Sequence, residues 1–175
     1  MAGAPRLRVL TLSAGRSRGV LQFGGTCVPC ALGRAGQRVL KREGDGATPA
    51  GRWPLRYVLY RADRVHRPRT RLPVRPIRPK DGWCDFPSDR NYNRHVSLPY
   101  PVSAERLWRQ DGLYDVVVVL GYNDRVRVRG RGSAIFMHVA RPGLAPTEGC
   151  IALQRRHLLH VLQKAKPEAS VCVGR

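Results

Sequence analysis

Two residues near the C-terminus have the types and spacing for nucleophilic chemistry. Cys150 follows Thr147-Glu148-Gly149 and precedes apolar Ile151-Ala152-Leu153, while His138 interrupts the strand-like run Ile135-Phe136-Met137-His138-Val139. A thiol becomes a nucleophile when a base takes its proton and positive charge stabilises the thiolate; histidine is the usual base. Arg141, three residues past His138, can add positive field. Gly149 permits an unusual backbone turn, so that amide N–H groups can point at a developing oxyanion. By residue type alone a second reading stays open, in which His138 is a hydrogen-bonded core histidine and Cys150 a buried thiol.

The other cysteines have less around them. Cys27-Val28-Pro29-Cys30 is a CxxC, but no strand–helix unit of the thioredoxin kind surrounds it. A zinc site would need two more ligands at suitable spacing, and the nearest histidine is His66. The pair is expected to be two incidental thiols, and no metal is expected. Cys84 follows Trp83 in a long connection, and Cys172 sits in the last apolar stretch, where it reads as a small core residue. Five cysteines leave at least one unpaired.

The elements that must position His138 and Cys150 are mostly short strands. Leu7 to Leu12, Leu55 to Leu59, Tyr114 to Leu120, Ala134 to Val139 and Ala169 to Val173 are candidates. Leu55, Tyr57 and Leu59 alternate against Arg56, Val58 and Tyr60, and the Val-rich run ending at Leu120 suits a strand buried on both faces. Arg125-Val126-Arg127-Val128-Arg129 has a period of two, which predicts a strand with arginines on one face and valines on the other. Ser103 can cap a short helix through Arg109. Gln154 to Lys166 predicts a longer helix with a stripe of Leu158, Leu159, Val161, Leu162 and Ala165, stopped by Pro167. Glu43 to Gly51 and Arg64 to Asp89 read as turn-rich connections. Trp83, Tyr92 and Trp108 read as core, with groove walls as the alternative. These patterns predict a single domain over 1–175, mainly β with α additions, as a β-sandwich or open barrel.

Composition narrows the partners. Lys+Arg total 32 against 12 acids, a formal charge of +20, and all but four of the 32 are arginine. Such a field attracts polyanions: nucleic acid, anionic lipid or an acidic wall polymer. No helix-turn-helix, zinc finger or RNP-like pattern appears and the basic residues are scattered, so a nucleic-acid partner is not expected. No run approaches the ~20 apolar residues of a membrane span. Val9 to Leu12 is too short for a signal-peptide core, so either export takes another route or a leader lies outside this numbering.

Ile135 to Leu153, IFMHVARPGLAPTEGCIAL, resembles the active-site stretch of the L,D-transpeptidase family, the YkuD-type catalytic domain. Thr48-Pro49-Ala50-Gly51-Arg52-Trp53 resembles the same family's upstream Thr-Pro-x-Gly turn. The resemblance implies a β-sandwich-like or open-barrel domain with a cysteine nucleophile and no cofactor. It implies cleavage of a tetrapeptide stem in peptidoglycan, a thioester, and transfer to an amine on a neighbouring stem, so stem peptides are both donor and acceptor. By position, Cys150 is the nucleophile and His138 the base. Thr147 orients the histidine or the loop, and Gly149 and Cys150 supply oxyanion N–H groups.

The chain departs from the family's pattern at Glu148, where a histidine is usual, and at Ala152, where an arginine is usual. Arg141 then becomes the residue to grip a substrate carboxylate, with Glu148, Tyr122 and Asn123 as further substrate-binding candidates. KREGDGATPAG and TEGCIAL resemble a compact proteobacterial subgroup. Some of its members join L-Ala at stem position one to the diamino acid (1-3) rather than linking two diamino acids (3-3). The same chemistry with water as acceptor would make an L,D-carboxypeptidase. The expected setting is the periplasm or cell envelope, with a role in wall biogenesis and cell shape, a monomeric protein, and carbapenem-type compounds as inhibitors.

Overall fold

The computed structural model describes residues 6–11 and 16–174. In chain order the first strands are β1 (Arg6–Leu10), β2 (Arg18–Phe23), β3 (Thr26–Ala31), β4 (Gln37–Arg38), β5 (Thr48–Pro49) and β6 (Gly51–Tyr60). There follow β7 (Val74–Pro76), β8 (Asp81–Cys84), β9 (His95–Ser97), β10 (Ala104–Arg106), β11 (Val116–Leu120) and β12 (Phe136–Val139). A 3-10 turn at Pro142–Leu144 leads to β13 (Ile151–Leu153), the helix α1 (Arg155–Lys164) and β14 (Ser170–Val173).

One sheet runs β11-β12-β13-β3-β2-β1-β14-β6-β7, and β11 also pairs with β6. That extra pairing closes the first eight strands into a barrel, with β7 left as a flange beside β6. The fold is mainly β, as expected, and its ring is closed rather than open. Closure leaves no unpaired edge among those eight strands. A three-stranded sheet β10-β8-β9 and the small β4–β5 pair complete it.

β11 explains why one strand can serve two cores. All five of its residues are buried. Val116, Val118 and Leu120 join a large cluster with Leu7, Val9, Leu21, Met137 and Ile151, and with Leu158, Val161 and Leu162 of α1. Val117 and Val119 face the other way, into a second cluster with Trp83, Leu107, Tyr114, Phe136 and Cys150. The period of two therefore sends alternate valines to opposite cores. At ~25 cal/mol per Å2 of apolar surface, each fully buried valine contributes on the order of 1.5 kcal/mol or more.

Several sequence expectations are corrected. Residues 125–129 form a loop, not a strand: Val126 has φ +58° and is 89% exposed. The Asn123 side chain satisfies that loop's backbone, accepting from Val128 N (2.8 Å) and donating to the carbonyls of Val128 and Gly132. Local side-chain bonds thus replace a ladder. Ser103 caps no helix, because Ala104–Arg106 pairs antiparallel with Gly82–Cys84 and Leu107 is fully buried. Pairing with β8 overrides the local helix signal.

Residues 64–89 are not one loop, since they carry β7 and β8. The alternation in β6 breaks at Arg56, where a bulge against Val119/Leu120 lets Leu55 and Val58 share one core. The CxxC lies in the β2–β3 hairpin, with Cys27 exposed and Cys30 buried. Cys172 is half-buried rather than core. The expected first strand reached Leu12, which lies outside the described residues. α1 occupies most of the expected helix, with Leu158, Val161 and Leu162 buried.

Candidate active site

His138 and Cys150 are brought together by a parallel ladder. β12 and β13 pair with Met137↔Ile151, His138↔Ala152 and Val139↔Leu153. Cys150 is the residue just before β13. Because side chains alternate, Met137 points into the barrel core, while Phe136 and Cys150 join the second cluster on the other side. A cavity of about 480 Å3 opens there, lined by both His138 and Cys150.

Burial keeps both side chains neutral. The Cys150 thiol donates to the Ala134 carbonyl (3.2 Å) and accepts from Phe136 N–H (3.4 Å). Burial pushes it up to about 12, and the negative charge of Glu105 acts in the same direction; the Phe136 N–H, Lys41 and Arg109 oppose them. Burial lowers His138 to about 4, against the raising effect of its hydrogen bond to Val139. His138 is 6% exposed, and its Nδ1 lies 2.8 Å from the Val139 carbonyl. A carbonyl can only accept, so Nδ1 carries the hydrogen and Nε2 is the proton acceptor. The Tyr114 ring meets the imidazole edge-on, 5.3 Å between centroids.

Thr147 is placed to hold the loop, not the histidine. Its hydroxyl donates to the Cys150 carbonyl (2.6 Å) and accepts from Gly149 N–H (3.1 Å). The Gly149 N–H is therefore occupied in this state. Gly149 has φ +137°, and a Cβ there would sit 2.8 Å from the Ala47 carbonyl oxygen. The two motifs far apart in sequence meet through Gly33. Gly33 bridges Thr147, and its N–H donates to Thr48 Oγ1 (2.8 Å). A Cβ on Gly33 would lie 2.3 Å from the Gly46 carbonyl, so only glycine fits between the two segments.

Among the other expected site residues, exposed Arg141 and Glu148 line the cavity. Glu148 pairs with Arg34 at 2.9 Å. Tyr122 and Asn123 do not line it. The Tyr122 hydroxyl donates to the Arg131 carbonyl and its ring packs edge-on against Trp53, while Asn123 holds the 125–129 loop. Trp83 and Tyr92 are buried and Trp108 is half-buried, with the Arg61 guanidinium 3.6 Å above its ring.

Three further parts were not singled out by sequence. Buried Asn93 accepts from Trp83 Nε1 and Ala134 N, and donates to the carbonyls of Tyr122 and Asn123. It thereby fixes Ala134, at φ +51°, whose carbonyl holds the thiol. Lys41, 3% exposed, is clamped by Asp45 at 2.6 Å, and its Nζ would lie 3.4 Å from a Cβ at Gly149. Glu105 accepts from the Tyr114 hydroxyl in the cavity wall, and burial raises its carboxyl. The Asn-x-Asn and Lys-x-x-x-Asp spacings were visible in sequence but have many structural uses. Among the described residues no group of three or more metal-ligating side chains could hold an ion.

The loop that carries Cys150 thus joins a parallel strand pair on a closed barrel. The chain matches the family model of the L,D-transpeptidase catalytic domain (YkuD) over residues 9–173 and belongs to that family. It is an L,D-transpeptidase-type enzyme of a family that acts on peptidoglycan. Searches of curated proteins and of solved structures return no match.

Proposed function

We propose that this chain acts as one domain and is a cysteine acyltransferase that crosslinks peptidoglycan stem peptides in the periplasm or cell envelope, as a monomer. The observation that carries the reading is the shared cavity: of the five cysteines, only Cys150 lines it, beside His138. The Cys150 thiol gives its proton to His138 Nε2 as sulfur attacks the stem carbonyl. The leaving amine takes that proton, the C–N bond breaks and a thioester remains. The acceptor amine then attacks the thioester. A C–N bond forms, the C–S bond breaks, and sulfur recovers a proton. Resting neutrality means the thiolate forms only as the base engages. The Gly149 N–H is taken up by Thr147 Oγ1, so the Cys150 N–H, beside the reacting sulfur, is the preferred oxyanion donor.

Arg141 is the side chain in the cavity wall suited to a substrate carboxylate. The linkage favoured is L-Ala to diamino acid (1-3), and 3-3 crosslinks are the other outcome. The test is mass spectrometry of muropeptides incubated with the protein. Dimers are expected, and their fragmentation gives the linkage; shortened monomers would instead mean L,D-carboxypeptidase activity. Cys150→Ala should lower activity by on the order of 10³ or more. A carbapenem should load once onto the wild type and onto the single alanine variants of Cys27, Cys30, Cys84 and Cys172, but not onto Cys150→Ala. Loading that persists in Cys150→Ala overturns the assignment.

A further inference from the structure

The cavity wall has a charge pattern that the thiol chemistry does not use. In a chain of formal charge +20 with 12 acids, four carboxylates line this cavity: Glu43, Asp85, Glu105 and Glu148. Only two arginines, Arg109 and Arg141, line it with them. Glu148 is neutralised by Arg34, and Glu105 has Arg109 at 3.8 Å. Glu43 and Asp85 take part in no ion pair among the described residues, although the chain has 32 cationic side chains. Glu43 is held by the Tyr92 hydroxyl instead.

Two unmet hydrogen-bonding groups sit in the same wall. Ser133 is 6% exposed and its hydroxyl has no partner, and the buried Oδ1 of Asp85 has none either. Buried polar atoms are normally satisfied, and leaving one unmet costs ~1–3 kcal/mol. Here the unmet atoms are an anionic acceptor and a hydroxyl that can accept. A ligand that answers both must bring N–H or O–H donors and is favoured by positive charge. An ammonium offers three donors. At long range the +20 field repels such a group, so a local group of carboxylates is what admits it. With no metal-ligating cluster among the described residues, the cation is an organic one.

We propose that Asp85, Glu43 and Ser133 form the subsite for the ammonium of the acceptor diamino acid, in the same cavity that Arg141 lines. This rests on the acyltransferase reading and names what selects an amine over water. The carboxylates collect the positively charged acceptor beside the thioester, and a neutral water gains nothing from them. His138 Nε2 takes one ammonium proton, which frees the lone pair that attacks; the departing sulfur takes the second, and the imidazolium then releases its proton to solvent.

The test has two arms. In transfer assays between muropeptides, Asp85→Asn is expected to raise the KM for a diamino-acid-terminated tripeptide acceptor about ten-fold, with a smaller effect on kcat. Hydrolysed product should rise relative to dimer. In the second arm, Cys150→Ala protein is titrated calorimetrically with that tripeptide and with the form acetylated on the side-chain amine of its diamino acid. The free amine should bind about ten-fold tighter, and the gap should narrow at high salt. An unchanged acceptor KM in an Asp85→Asn protein that still loads Cys150 would overturn the subsite, as would equal binding of the two peptides. If the wild type fails to load Cys150 with a carbapenem, the acyltransferase reading falls, and the titration alone decides the ammonium site.

Discussion

Acid should destabilise this protein between about pH 6.5 and 4 through one buried histidine. His138 is 6% exposed and its folded value is lowered from 6.5 to about 4. In the unfolded chain it takes a proton near 6.5; in the folded protein it does not until about 4. The unfolded state therefore binds more protons between those values, and stability falls as pH drops through the window. The full shift corresponds to about 3 kcal/mol, of which about 2 kcal/mol is lost by pH 5. Urea unfolding followed by tryptophan fluorescence at pH 7.5, 6, 5 and 4.5 measures this directly. His138→Gln should lack that share of the pH dependence. His157, also lowered by burial, contributes equally to both proteins and cancels. Asp45, Asp63 and Asp111 are held below the ordinary carboxylate value of 3.8, so their losses come at lower pH. Equal slopes for the two proteins between pH 7.5 and 5 would refute the reasoning.

Three substitutions probe the loop that carries Cys150 and its supports. Gly149→Ala should destabilise by about 2 kcal/mol or more, from the backbone conformation and the clash with the Ala47 carbonyl, lowering Tm by roughly 5 °C and slowing carbapenem loading. Lys41→Met strands the Asp45 carboxylate, and breaking such a buried pair costs about 3–5 kcal/mol, readable by urea titration. Thr147→Val removes the hydroxyl shared by Gly149 N–H and the Cys150 carbonyl, at about 1–3 kcal/mol, whereas Thr147→Ser should restore both stability and loading rate.

What was legible in the sequence was local. The period of β11, the stripe of α1 and the stretch that joins His138 to Cys150 are each written within about a dozen residues, so they are legible locally. Pairings between distant segments were not. Ala104–Arg106 has a helix-like start, yet its partner strand at Gly82–Cys84 decides its conformation. Arg125–Arg129 alternates like a strand, but no neighbour offers it a ladder and Asn123 folds it back on itself. Thr26–Ala31 carries a proline and two cysteines and gave no strand signal, although it pairs with both β2 and β13. The acidic wall was hidden for the same reason. Glu43, Asp85, Glu105 and Ser133 are scattered along the chain and meet where the segments around Trp83 and Leu107 pack against β11 and β12.

The parallel pairing of β12 with β13 has a consequence for how such an enzyme can change. The register of His138 against Ala152 is set by the ladder between the strands and not by the chain that joins them. The connection over residues 140–150 supplies Arg141, Thr147 and Glu148 to the cavity rim. Its outer part, from Arg141 to Pro146, can therefore lengthen, shorten or be exchanged as a cassette while His138 and Cys150 keep their places. On the proposed roles, diversification of the rim is thus uncoupled from preservation of the His138–Cys150 pair, and loop grafts into this segment are the natural route to a redirected specificity.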